Sequence, residues 1–242
     1  MLRALGWWLG GAALLPLLLV QGRRARRNTP RLPEARGERA GAAGQGAALH
    51  LLVIGESPVA GVGVDRFEEA LAPQLAAALA ATLGRRVQWQ ALGENGADAG
   101  GVLERLVPRI DGVADVAVLA VGVNDTTRFT SLARWQRTLR ALVAALRMRC
   151  HGAIVVAGVP PMAQFRALPQ PLRSWLGLRS RLLDAAAREA LSGMTAVRHA
   201  PTPRLAALHL ARDGYHPSPA GAAAWAAMLA AEIARAVELP AR

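Results

Sequence analysis

From Leu49 onward, short apolar runs alternate with longer helical stretches five times over, and few architectures accommodate that order. The apolar runs lie at 49–54, 86–91, 115–121 and 153–157, with a weaker one at 195–198. Each has the length of a buried strand. The stretches between and after them, at 67–83, 101–109, 131–148, 173–191 and 219–237, read as helices. This order predicts an α/β domain with a five-stranded parallel sheet and helices on both faces. In such sheets ligands gather at the carboxyl ends of the strands. Beginning at residue 47, the domain is long enough to bury a core without staples, and Cys150, the only cysteine, can form no intrachain disulfide.

The residues before this domain are of another kind. Residues 4–20 are apolar throughout, with Trp7 and Trp8 near one end, and Arg23, Arg24, Arg26 and Arg27 follow. Seventeen residues sit at the lower edge of what spans a bilayer as a helix. Positive charge flanks the run mainly on its C-terminal side, and no small-x-small cleavage site closes it. Residues 1–22 are therefore expected to be a membrane anchor with the following domain on the cytoplasmic side. Export through a signal peptide is the alternative. Residues 23–46, rich in Pro, Gly, Ala and Arg, are expected to be a linker, so that 47–242 forms the domain proper.

Charge is informative only by its placement. Every basic residue is arginine, and the eight arginines up to Gly46, against Glu34 and Glu38, carry half of the formal net charge of +12. A basic segment beside an apolar one suits an anionic membrane surface. Neither a basic helix, an aromatic stacking platform nor a zinc spacing argues for nucleic acid. Asp98 and Asp111 lack a metal-ligand pattern, and no cofactor is expected. His50, His151, His199 and His209 show no partner spacing and are expected to be solvated or capping.

The strand ends hold residues whose chemistry is complementary. Gly55-Glu56-Ser57-Pro58 follows the first run, where a serine is either a helix cap or a nucleophile facing a cleft. Gly93-Glu94-Asn95-Gly96 follows the second, as a tight turn or a source of backbone N–H for an oxyanion. Gly122-Val123-Asn124-Asp125 follows the third, as a turn or as a side-chain amide donor. Before the last helix, Asp213 precedes His216 by three residues on a loop. The aspartate can hold the imidazole in the tautomer that presents Nε2 as a base. Alone each signal is weak. Their order supplies nucleophile, oxyanion donors, base and orienter together.

In these four blocks the chain resembles the SGNH (GDSL-type) hydrolase family over most of residues 49–238. That resemblance implies a three-layer α/β/α sandwich of flavodoxin-like form, and a serine esterase needing no metal or cofactor. It implies a catalytic triad of Ser57, His216 and Asp213, and an oxyanion hole from the N–H groups of Ser57 and Gly96 with the Asn124 side chain. Glu56 stands where the family usually has aspartate, from which a local loop adjustment is expected. The expected substrate is a small-molecule ester, either lipid-derived (lysophospholipid-like) or a small acyl ester. Carbohydrate O-acetylesterase or thioesterase activity is the alternative within the same chemistry, and an inactive membrane-tethered binding module the alternative outside it. Met162, Phe165, Leu168, Leu172 and Trp175 are candidates for an acyl-chain wall or for ordinary helix packing. Oligomeric state is not legible.

Overall fold

The structure, a computed structural model, describes residues 2–201 and 206–238, with side chains from residue 14 to residue 237. Elements follow in the order α1 (Leu2–Asn28), β1 (Ala40–Ala43), β2 (Ala48–Gly55), α2 (Leu71–Leu83), β3 (Arg86–Gly93), α3 (Ala99–Gly101), β4 (Ala114–Ala120), α4 (Val123–Thr127), α5 (Leu132–Arg147), β5 (Cys150–Ala157), α6 (Leu172–Leu191), β6 (Val197–Ala200) and α7 (Pro219–Glu238). The short α3 continues through a wide helical turn at Val102–Leu106 and a tight one at Val107–Arg109. Strands lie in the order β1-β3-β2-β4-β5-β6, and β2 to β6 are parallel.

Strand alternation explains why both faces are covered. Leu51 and Val53 of β2, Val116 and Val118 of β4 and Val155 of β5 enter one core, shared with Leu75 and Leu79 of α2 and Leu229 and Ile233 of α7. Their neighbours Leu52, Ile54, Ala117, Leu119, Ile154 and Val156 enter the other, with Trp135, Leu139 and Leu142 of α5 and Leu183 of α6. Side chains of period two on a doubly buried sheet read as continuous apolar runs. The Ser131 hydroxyl caps α5 by accepting from the Arg134 N–H at 3.3 Å. By length and composition alone, Pro219–Val237 is apolar enough to cross a membrane. Its buried residues nevertheless belong to the domain core.

The sheet has six strands, one more than expected. The additional β1 pairs antiparallel with β3, Gly41 opposite Trp89. Its Ala-Gly-Ala-Ala sequence carries no strand signature. What permits it is close approach: a Cβ at Gly41 would stand 2.8 Å from the Trp89 ring. Residues 23–46 therefore do not form a free linker. They supply the last turns of α1 and the edge strand. Between these, Ala35 is buried, the Arg39 guanidinium lies 4.1 Å over the Phe67 ring, and Glu34 accepts from the Asn95 N–H at 2.9 Å. The last strand begins at Val197, two residues beyond its expected start.

α1 also departs from a simple anchor. It passes through Pro16 and continues to Asn28, and Leu18 is buried against the domain. Gln21 bonds across to the start of α6, donating to the Gln170 carbonyl at 2.6 Å and accepting from the Leu172 N–H at 3.0 Å. The side chains of the first thirteen residues, Trp7 and Trp8 among them, lie outside the described residues.

Candidate active site

Three parallel strands end side by side, and the turns that follow them converge. The Ser57 turn is packed tightly between neighbours. A Cβ at Gly55 would stand 2.0 Å from the Ala120 carbonyl oxygen of β4, and one at Gly93 would stand 2.2 Å from the Ala60 N. Glycine at these positions lets the backbone of the nucleophile turn sit against β3 and β4. The Glu56 N–H donates to Ala120 O at 3.0 Å, and the Val62 N–H closes the turn on Ser57 O at 3.0 Å. Ser57 is 7% exposed.

The Asp213–His216 loop reaches this turn from the opposite end of the chain. Asp213 Oδ1 accepts from the backbone N–H groups of Tyr215 (2.9 Å) and His216 (3.0 Å), while Oδ2 lies 2.6 Å from His216 Nδ1. His216 Nε2 stands 3.1 Å from Ser57 Oγ. Burial alone would raise the Asp213 carboxyl, but the His216 and backbone hydrogen bonds outweigh it and hold the group below the usual carboxylate range. An ionised Asp213 accepts a hydrogen bond from Nδ1–H and keeps the proton on that nitrogen, which leaves Nε2 as the acceptor facing the serine hydroxyl. The three residues expected as a triad are thus brought together in the order such a relay needs.

The oxyanion donors are placed less simply. Among the described residues, neither the Ser57 nor the Gly96 backbone N–H donates to a protein acceptor. Gly96 has φ +83° and open space where a Cβ would stand, so its turn geometry requires glycine. Gly93, its near neighbour, serves close packing instead. Asn124 differs from expectation. Its Nδ2 donates to Glu56 Oε2 at 2.6 Å and to Ala97 O at 2.9 Å. Both amide hydrogens are engaged within the protein, and offering one to a substrate oxygen requires surrendering one of these bonds.

The cause is Glu56. Its carboxylate, 2% exposed, accepts from the Val123 N–H at 2.9 Å, the Asn124 N–H at 3.0 Å and the Asn124 amide. These bonds tie the turn that carries Ser57 to the start of α4. Burial pushes its pKa up to about 7, against the pull of the Val123 and Asn124 hydrogen bonds and with a further push from the Asp125 charge.

Beside Ser57 lies a narrow apolar recess walled by Val123, Pro160, Phe165, Leu210, Tyr215 and Trp225. Tyr215 sits edge-on between Phe165 (4.8 Å) and His216 (5.3 Å). Of the five residues expected as an acyl wall, only Phe165 lines the recess. Met162, Leu168 and Leu172 are buried behind it in a cluster that also holds Val123 and Leu18, with Trp175 packed against it. Leu210 and Trp225 carried no motif in the sequence, and Tyr215 could have been suspected only from its place inside Asp-x-x-His.

One further histidine corrects the sequence reading, while His50 is solvated as expected and also meets a carboxylate. His199 Nε2 lies 2.9 Å from Asp184 Oδ1, which also accepts the Val159 N–H, so this pair braces the loop leading to Pro160. His50 Nδ1 pairs with Asp115 at 3.2 Å. His209 does cap, accepting from the Ala206 N–H at 3.1 Å. Among the described residues no three His, Cys, Asp or Glu side chains gather as a metal site.

Residues 53–224 match the model of the GDSL-like Lipase/Acylhydrolase family. The chain is 31% identical over 180 residues to the GDSL-like esterase Rv1075c of Mycobacterium tuberculosis, an alignment spanning 70% of this chain and 57% of that relative. The fold is similar to that of the psychrotrophic esterase EstA from Pseudoalteromonas sp., with TM-score 0.60 and 16% identity over 78% of this chain and 99% of the other. It is also similar to a carbohydrate acetylesterase family member from Sinorhizobium meliloti, with TM-score 0.59 and 17% identity over 79% of this chain and all of the other. At such identities the two solved structures speak for the fold alone. With the family pattern matched from the first parallel strand into the closing helix, this chain belongs to the GDSL-like lipase/acylhydrolase family.

Proposed function

We propose that this chain is a serine esterase acting through an acyl-enzyme. The observation that carries the reading is the continuous relay from Asp213 through His216 to Ser57, with Nε2 3.1 Å from Oγ. His216 takes the hydroxyl proton as Ser57 Oγ bonds to the ester carbonyl carbon. The carbonyl oxygen, now an anion, is met by the Ser57 and Gly96 N–H groups and by the Asn124 amide once it releases a protein acceptor. Collapse breaks the bond to the alcohol oxygen, which leaves with the proton from His216. Water then attacks the acyl carbon with His216 again as base, and the acid departs.

The apolar lining of the recess favours an acyl chain over a sugar beside the nucleophile. A lipid-derived or medium-chain ester is therefore the preferred substrate class. The apolar N-terminal segment and its arginines support anchoring in a membrane, with the domain on the cytoplasmic side. A non-catalytic binding module has no use for so complete a relay.

The test is covalent labelling. A fluorophosphonate probe should modify the full chain at Ser57, mapped by mass spectrometry. Ser57→Ala should abolish the adduct and His216→Ala should nearly do so. A folded wild-type chain that takes no label would overturn the mechanism.

A further inference from the structure

α1 packs on the start of α6 and into the buried cluster that backs the recess. Leu18 is 3% exposed and shares a buried cluster with Val123 and Phe165, both of which line the recess beside Ser57. Ala25, two turns further along the same face, and Tyr215 pack against that cluster. Between them Gln21 grips the chain at Gln170 and Leu172 with its two hydrogen bonds. Residues 18, 21 and 25 fall on one helix face, so this docking is a built contact between the N-terminal helix and the cluster behind the pocket wall.

The other faces of α1 are uncovered. Leu14, Leu15, Leu17, Leu19 and Val20 are 39–60% exposed, an apolar surface that water does not favour. Directly after it the exposed Arg23, Arg24, Arg26 and Arg27 cover the side of the helix turned away from the domain. Apolar side chains giving way within one turn to a cluster of arginines match the step from hydrocarbon to anionic headgroups. The occupant that fits both halves is an anionic bilayer, and the level of that step on α1 is the level of Leu18 and Gln21.

Resting on the esterase reading, we propose that α1, packed on the cluster behind the acyl site, seats the recess against an anionic membrane, so that a single-chain lipid ester reaches Ser57 from the bilayer. A mere tether would need no packing behind the pocket lining. With α1 docked there, the boundary of the bilayer lies beside the recess, and an acyl chain leaving the membrane passes along apolar side chains.

The experiment uses the full chain reconstituted in phosphatidylglycerol vesicles. Turnover of vesicle-borne monoacyl phosphatidylglycerol is measured against turnover of p-nitrophenyl acetate in water, for wild type, Gln21→Ala and Leu18→Ala, with melting curves and Ser57 labelling run on each. The expected result is a lipid-to-acetate ratio lowered by about fivefold or more in both variants, mainly through a raised KM for the lipid, with Ser57 still labelled. An unchanged ratio in folded, labelled Gln21→Ala chain would overturn the proposal, as would a wild-type chain that prefers phosphatidylcholine vesicles or leaves them as a dimer. Failure of Ser57 to label in wild type would instead overturn the esterase reading beneath it.

Discussion

Replacing Glu56 by glutamine isolates a buried carboxyl beside the nucleophile that the proposed reaction does not use directly. Glu56 accepts three hydrogen bonds, which favour its charged form, while burial favours the neutral one and prevails, taking the pKa from 4.5 to about 7. The folded state thus holds the proton more tightly than the unfolded chain. The stability this contributes is complete below pH 4.5 and is lost as pH rises through 7. At about 1.4 kcal/mol per pKa unit, the loss approaches about 3 kcal/mol at alkaline pH. Glutamine copies the shape and does not titrate, but only one of its two terminal atoms can accept from the Val123 and Asn124 donors. That lost acceptor shifts the variant's stability by the same amount at every pH, so the pH dependence isolates the charge. Urea unfolding followed by tryptophan fluorescence should therefore find the stability of Glu56→Gln relative to wild type rising by about 2–3 kcal/mol between about pH 4.5 and about pH 8.5. A difference that stays constant over that range would refute the reasoning.

Asp213→Asn keeps the shape of the loop but removes the charge that fixes the His216 tautomer, and kcat on a soluble ester should fall by about three to four orders of magnitude with little change in KM. Gly93→Ala drives a methyl into the Ala60 backbone at 2.2 Å. It should lower stability by more than about 2 kcal/mol, measured by urea denaturation. A chain beginning at residue 47 lacks β1 and uncovers the Phe67 and Trp89 rings, which stack at 5.9 Å. Compared with a chain beginning at residue 29, it should lose on the order of 3 kcal/mol, seen as a melting temperature lower by about 6–12 °C.

Legibility in the sequence followed the range of the interaction. The central strands β2, β4 and β5 were readable because a doubly buried strand writes its environment as an unbroken apolar run, as in Leu51-Leu52-Val53-Ile54. Asp213 and His216 were readable because three residues of loop suffice to place one against the other. β1 was not, since Ala-Gly-Ala-Ala has no propensity of its own and becomes a strand only because Trp89 lies opposite Gly41. His199 likewise gains its partner from Asp184 on a separate element.

The amino-acid sequence by itself determined the doubly wound domain, the strand ends where chemistry gathers and the residues able to perform it, because periodicity and short loop spacings act within a few residues. Tertiary structure alone decided that Glu56 holds the Asn124 amide, that Phe165, Leu210, Tyr215 and Trp225 line one recess, and that α1 packs on the cluster behind it. Each of those depends on side chains 50 to 150 residues apart meeting to within an ångström, and distances of that kind are set by the packing of the whole core.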